Sequence, residues 1–110
     1  MKISINDEIF NVEYLNTPKQ LQIGAMGREK IDGCLLFDVG KGEHTFWMKN
    51  CLIPLDIVFV NNKKITKIYE NCQPCDICNE HYKGYGDIVL EFEHKKNKNF
   101  KINDKIVFIK

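Results

Sequence analysis

The chain has 110 residues, of which 44% are hydrophobic, 11% aromatic and 28% charged, and its formal net charge is +1. That composition excludes a disordered or fibrous polymer and leaves room for one domain that buries roughly two thirds of the surface its unfolded form exposes. The near-zero charge excludes long-range steering to nucleic acid or an anionic membrane, and no apolar run approaches the roughly 18 residues of a membrane helix.

The N-terminal MKISINDEIF lacks the apolar core and small-residue cleavage site of a secretory signal, so a cytoplasmic or virion-associated protein is expected. Ile3 and Ile5 alternate with polar residues, Asn6-Asp7 supplies turn chemistry, and Phe10, Val12 and Tyr14 resume the period of two. This pattern predicts an opening hairpin. Thr17-Pro18-Lys19-Gln20 then offers an N-cap, a proline at the first helical position and a Gln that closes a capping box. A short helix through about Gly27 follows.

Gly33 to Val39 is an apolar run, Gly40-Lys41-Gly42 reads as a turn, and Thr45 to Met48 reads as the returning strand. Leu55 to Val60 has the composition of a fully buried strand, and Asn61-Asn62 turns it into Lys64 to Tyr69. Residues 71 to 86 form a Cys-rich, Gly-rich segment too long for a minimal connector. Asp87 to Glu93 and Lys105 to Ile109 complete the strands, with the polar HKKNKNFK stretch between them read as a solvated loop. The expected fold is one domain over residues 1–110, α+β and mainly antiparallel, a barrel-like sheet with one or two short helices.

Chemistry is concentrated in two places. In CQPCDIC, Cys72, Cys75 and Cys78 together with His81 present the donor types of a tetrahedral zinc site, although four ligands within ten residues would tie only their own loop. A Cys75–Cys78 disulfide and free thiols are the alternatives, and zinc is the one cofactor these residues would suit. Cys34 and Cys51 read as packing residues, although His44 and Lys49 near Cys51 are groups that depress a thiol pKa.

The second place is HTFWMKNCLIPLDIVFV, residues 44 to 60. Alternation puts Phe46 and Met48 on one face and Trp47 and Lys49 on the other, setting an indole beside a cation. Asn50 and Asp56 flank the Pro54 bend, and a buried Asp56 requires a partner, for which Arg28 or Lys49 is the expectation. Arg28 is the sole arginine among sixteen Lys and Arg residues. Its planar fork makes bidentate contacts that lysine cannot.

The string Phe46-Trp47-Met48-Lys49-Asn50, followed by Ile53-Pro54-Leu55-Asp56-Ile57, resembles the signature of the domain of unknown function 192 family. Thr17-Pro18, Gly24, Met26, Arg28, Gly33-Cys34-Leu35, Glu70-Asn71, Pro74-Cys75, Cys78, Tyr82 and Val89-Leu90-Glu91 resemble its other landmarks in order. Cys51 stands in place of a usual Thr, Gly27 in place of an aromatic residue, Leu21 in place of a basic one, and Asn103-Asp104 where the family has Gly-Asp. The loop between Arg28 and Gly33 is also short by about three residues. The resemblance implies a compact β-rich fold with short helices and no established activity, and family members often carry an export leader that this sequence lacks.

The residues therefore point to a non-enzymatic binding or interaction module for a protein or small-molecule partner. Its expected site is formed by Arg28, His44, Trp47, Lys49, Asn50 and Asp56. A structural subunit of a larger assembly such as a phage particle, and a thiol- or zinc-dependent activity at the CQPCDIC loop, are the competing classes.

Overall fold

The computed structural model describes residues 1–95 and 99–109. Within them, β1 (Lys2–Ile5), β2 (Glu8–Leu15), α1 (Pro18–Ile23), β3 (Cys34–Phe46), β4 (Leu55–Asn61), β5 (Lys64–Cys72), β6 (Tyr82–Glu93) and β7 (Ile106–Ile109) follow in order. The seven strands make one sheet in the order β5-β4-β6-β3-β2-β1-β7, antiparallel except where β2 runs parallel to β3. That single parallel pair is joined by the crossover carrying α1, as two parallel neighbours require.

The hairpin predictions rest on real turn chemistry. Asn6 and Asp7 sit at φ 51° and 66° between β1 and β2, and Asn62 and Lys63 at 50° and 64° between β4 and β5. Two consecutive left-handed residues form the primed turn that matches strand twist, and Asn and Asp tolerate that region best after glycine. The sheet curls until its edges touch at one end. There Ile65 N–H donates to the Asp104 carbonyl at 2.9 Å and Ile106 N–H to the Lys63 carbonyl at 2.8 Å. The result is a half-barrel joined at one corner, with a radius of gyration of 12.8 Å, about that of a single domain of this length.

Both faces of the sheet are covered, and this explains why β4 is buried at six consecutive positions. Val58 and Val60 point into the barrel cluster with Ile3, Ile5, Leu36, Leu90 and Phe92. Leu55, Ile57 and Phe59 point the other way, into a second cluster with Leu35, Phe37, Met48 and Val89. The loops and α1 close this outer cluster, through Leu21, Ala25 and Ile31 among others. A strand buried on both faces loses the polar alternation that a one-sided strand keeps.

Three expectations need correction, the first being the extent of the cysteine loop: β5 runs on to Cys72 and β6 already starts at Tyr82, so the connection spans residues 73–81 rather than 71–86. The Gly40-Lys41-Gly42 stretch does not reverse the chain: β3 runs unbroken from Cys34 to Phe46, and both halves pair with β6. The register shifts between Asp38 and Gly42, and Gly40 (φ 79°) and Gly42 (φ 152°) supply the positive angles of a bulge that bends the strand. Similarly, α1 ends at Ile23 rather than near Gly27. The capping box of Thr17 and Gln20 forms as read from the sequence, but Gly24 leaves the helix at φ 48°, where an added Cβ would lie 2.9 Å from the Phe37 ring. The glycine lets the helix end settle directly on the outer cluster.

Part of HKKNKNFK, residues 96–98, lies outside the described residues, and the solvated-loop reading stands there as a sequence expectation.

Candidate functional site: a cleft beneath Trp47

The FWMKN segment begins where β3 ends. Phe46 closes the strand, and the expected alternation persists through the next residues: Met48 is 1% exposed, inside the outer cluster, while Trp47 is 45% exposed. Lys49 Nζ lies 5.2 Å from the centre of the indole, a cation–π contact worth about 0.5–1 kcal/mol at an exposed site. The bend beyond is held by backbone. Asn50 occupies the left-handed region (φ 60°), its N–H donates to the Cys75 carbonyl at 3.1 Å, and its own carbonyl accepts from Gly27 N–H at 3.0 Å. Cys75 N–H in turn donates to Met48 O at 3.2 Å. One strap therefore ties the chain after α1, the Trp47 segment and the cysteine loop together.

Between this strap and α1 opens a cleft of about 290 Å³. The C-terminal half of α1 and the following turn, from Leu21 to Met26, form one wall. Phe37, Val39, His44, Phe46, Trp47 and Lys49 form the other, with Cys51 and Glu91 below. Glu91 is the residue that sequence reasoning missed, having entered only as a family landmark. It lies in the central strand β6, opposite Leu35 of β3 and Ile57 of β4, on the outer-cluster side. At 3% exposure it is deeply buried, and it takes no hydrogen bond from any described residue. Among the described residues no side-chain polar atom is sealed from solvent without a partner. The carboxyl oxygens of Glu91 therefore meet the open volume of the cleft. Burial pushes its acid up to about 8, against a smaller opposing pull from the Arg28 charge. An acid within an otherwise apolar strand was the available signal, the same one that marked Asp56.

The expected site residues do not assemble as one group. His44, Trp47 and Lys49 share the cleft, and Asn50 shapes its rim through its backbone. Arg28 does not pair with Asp56. Its two terminal nitrogens donate to both oxygens of Glu13 at 2.7 and 2.6 Å, and Nε donates to Gly24 O at 3.3 Å. The paired guanidinium and carboxylate hold each other charged, raising the Arg28 pKa and lowering that of Glu13. Asp56, 2% exposed, instead meets His94 Nδ1 at 2.8 Å and accepts from Asn71 N–H at 2.8 Å. Neither Arg28 nor Lys49 is the partner that the sequence led one to expect, because Asp56 opens β4 on the side of β6, whose end carries His94. Asp56 is a brace, fixing the left-handed Asn71 (φ 55°) at the end of β5.

The cysteine loop takes the disulfide alternative: Cys75 and Cys78 are bonded, with Cα atoms 5.3 Å apart. Cys72 is buried and its Sγ approaches the Tyr69 carbonyl at 3.6 Å, while His81 turns to the Trp47 indole, ring centres 6.2 Å apart. The four residues of the zinc reading are thus engaged separately, and among the described residues no three His, Cys, Asp or Glu side chains converge on one point. The remaining thiols are held protonated. Burial pushes Cys34 and Cys72 up to about 12 and Cys51 up to about 11, the last with help from the Glu91 charge. The neighbours His44 and Lys49 do not activate Cys51.

Among the described residues no helix is long and apolar enough to cross a membrane. Two solved structures share the fold. A protein of unknown function from Novosphingobium aromaticivorans DSM 12444 superposes with a TM-score of 0.85 at 24% identity, over 97% of this chain and 84% of its own. A protein from Sinorhizobium meliloti 1021, described as a candidate transcription regulator, superposes with a TM-score of 0.84 at 25% identity, over 96% of this chain and 88% of its own. The comparison with curated proteins returns no match. The family model DUF192, described as Uncharacterized ACR, matches residues 1–108, and the chain belongs to that family.

Proposed function

We propose that the chain is a non-enzymatic binding module whose cleft beneath Trp47 takes a small molecule or a side chain of a partner protein. The observation that carries this reading is the buried carboxyl of Glu91, without a hydrogen-bond partner among the described residues and open to a cleft of about 290 Å³. A native core seldom places an acid there without a use, because burial raises the cost of its charged form. The surroundings have the make-up of a ligand site: apolar walls with a few convergent polar groups. Thiol catalysis is less well supported, since Cys34 and Cys72 are buried, Cys51 is half-buried, and all three are held protonated. A net charge of +1 likewise offers little general attraction for nucleic acid.

Trp47 is the only tryptophan in the chain, so its emission reports directly on occupation of the cleft. A titration with small amphipathic compounds is expected to shift that emission saturably, and Lys49→Ala to weaken the response while leaving the melting temperature within about 1–2 °C of the parent. Equal loss of stability and response would make Lys49 a structural residue. Emission that no compound alters would count against the cleft as a site.

A further inference from the structure

We infer that the ligand of this cleft carries a cationic nitrogen, an ammonium or guanidinium group, that seats on the Glu91 carboxylate with its apolar body between α1 and Phe46. This rests on the binding reading above and names the chemistry of what is bound.

The charged and titratable groups facing Glu91 come from four places: Arg28 from the segment after α1, His44 from β3, Lys49 and Cys51 from the segment after β3, and Cys72 from the end of β5. The charged donors are engaged elsewhere. Both forks of Arg28 are on Glu13, Lys49 Nζ lies over the Trp47 ring, and the His44 ring bonds the Gly40 carbonyl. The strands on either side bring only Leu35 and Ile57 against Glu91. Its oxygens therefore take no donor from the charged side chains around them and face the open cleft, where a ligand nitrogen can take the place of solvent.

A cationic nitrogen satisfies the carboxylate by charge-assisted hydrogen bonds, the stronger kind. An anionic group would satisfy the protonated acid only by accepting its single O–H, and a neutral hydroxyl or amide would leave it protonated while exchanging uncharged hydrogen bonds with it. The two cases differ in proton balance. An ammonium ion seating on the protonated acid forms the N–H···O contact as the O–H proton leaves to solvent, so about one proton is released per ligand near pH 7. An anion releases none.

The test is calorimetry with benzylamine, benzyl alcohol and benzoate, in two buffers of different ionisation enthalpy, read in parallel by Trp47 emission. Benzylamine is expected to bind at millimolar concentration or below, with release approaching one proton, and Glu91→Gln to weaken it about tenfold or more and abolish the release. Proton release by the parent chain does not depend on how the variant folds. Benzyl alcohol or benzoate binding as tightly as benzylamine, or benzylamine binding that Glu91→Gln leaves unchanged, would overturn the cationic class while leaving the cleft a binding site. Silence from all three probes would remove both readings.

Discussion

Two carboxylates and one arginine change places in importance once their neighbours are known. Arg28 drew notice as the sole arginine, yet its partner Glu13 is half exposed, and surface pairs contribute about 0–1 kcal/mol even with two good bonds. Asp56 is sealed, and its removal orphans both His94 and the Asn71 amide. Urea denaturation is therefore expected to place Asp56→Ala about 2 kcal/mol below the parent and Arg28→Ala within about 1 kcal/mol of it. The reverse order would mean that the guanidinium carries the fold. Glu91 sets a pH dependence of its own. Its folded acid titrates near 8 against an ordinary 4.5, so between those values the folded state holds a proton that the unfolded state has lost. Stability then falls as pH rises across the window, and the decline stops above about pH 8. Glu91→Gln should flatten the slope and be more stable than the parent by about 2–4 kcal/mol at the alkaline end. Parallel parent and variant curves would show that the carboxyl is not desolvated.

At the scale of elements, the strap joining Trp47, Asn50 and the cysteine loop is the least regular part of the molecule and the part that shapes the site. Its integrity depends on Cys75, whose backbone pairs on both sides with the 48–50 segment. The short loop closed by Cys75 and Cys78 is stabilised by up to about 2 kcal/mol in the chain-entropy view. Denatured without reductant, the chain is expected to show three thiols, Cys34, Cys51 and Cys72, and five after reduction. Reduction should also shift Trp47 emission, because the bonded loop is tied to that segment. Five thiols before reduction together with stoichiometric zinc would favour the metal reading of CQPCDIC over the disulfide. The elements themselves were largely legible: both Asn-containing turns, the capping box and the buried β4 follow from local chemistry. The Gly40-Gly42 bulge was not, because two glycines permit a reversal and a bend equally, and only the shared partner β6 selects the bend.

For the whole molecule, stability is concentrated in β3, β6 and β4, the middle of the sheet, each covered on both faces. The edges are weaker: β7 has four residues, pairs with β1 along one side and meets the β5 edge only at a corner. Native-state hydrogen exchange should be slowest at Leu36, Val58 and Leu90 and much faster at Val107 and Phe108, by several kcal/mol of opening free energy. Uniform protection of β7 would imply that something covers its exposed Val107 and half-exposed Phe108.

The sequence alone determined what depends on neighbours along the chain: the buried β4, the two Asn-containing hairpin turns, that Met48 faces in and Trp47 faces out, and the family to which the FWMKN…IPLDI string belongs. Only the tertiary structure decided who meets whom. Arg28 and Glu13 lie 15 positions apart, Asp56 and His94 38 apart, and local periodicity carries no information about such pairs. Glu91 illustrates the division most clearly. Its strand was recognisable, but its lack of a hydrogen-bond partner among the described residues is a property of the packed molecule, because it depends on Glu13 having already taken both ends of Arg28 and on α1 stopping short at Gly24 to leave a cleft above.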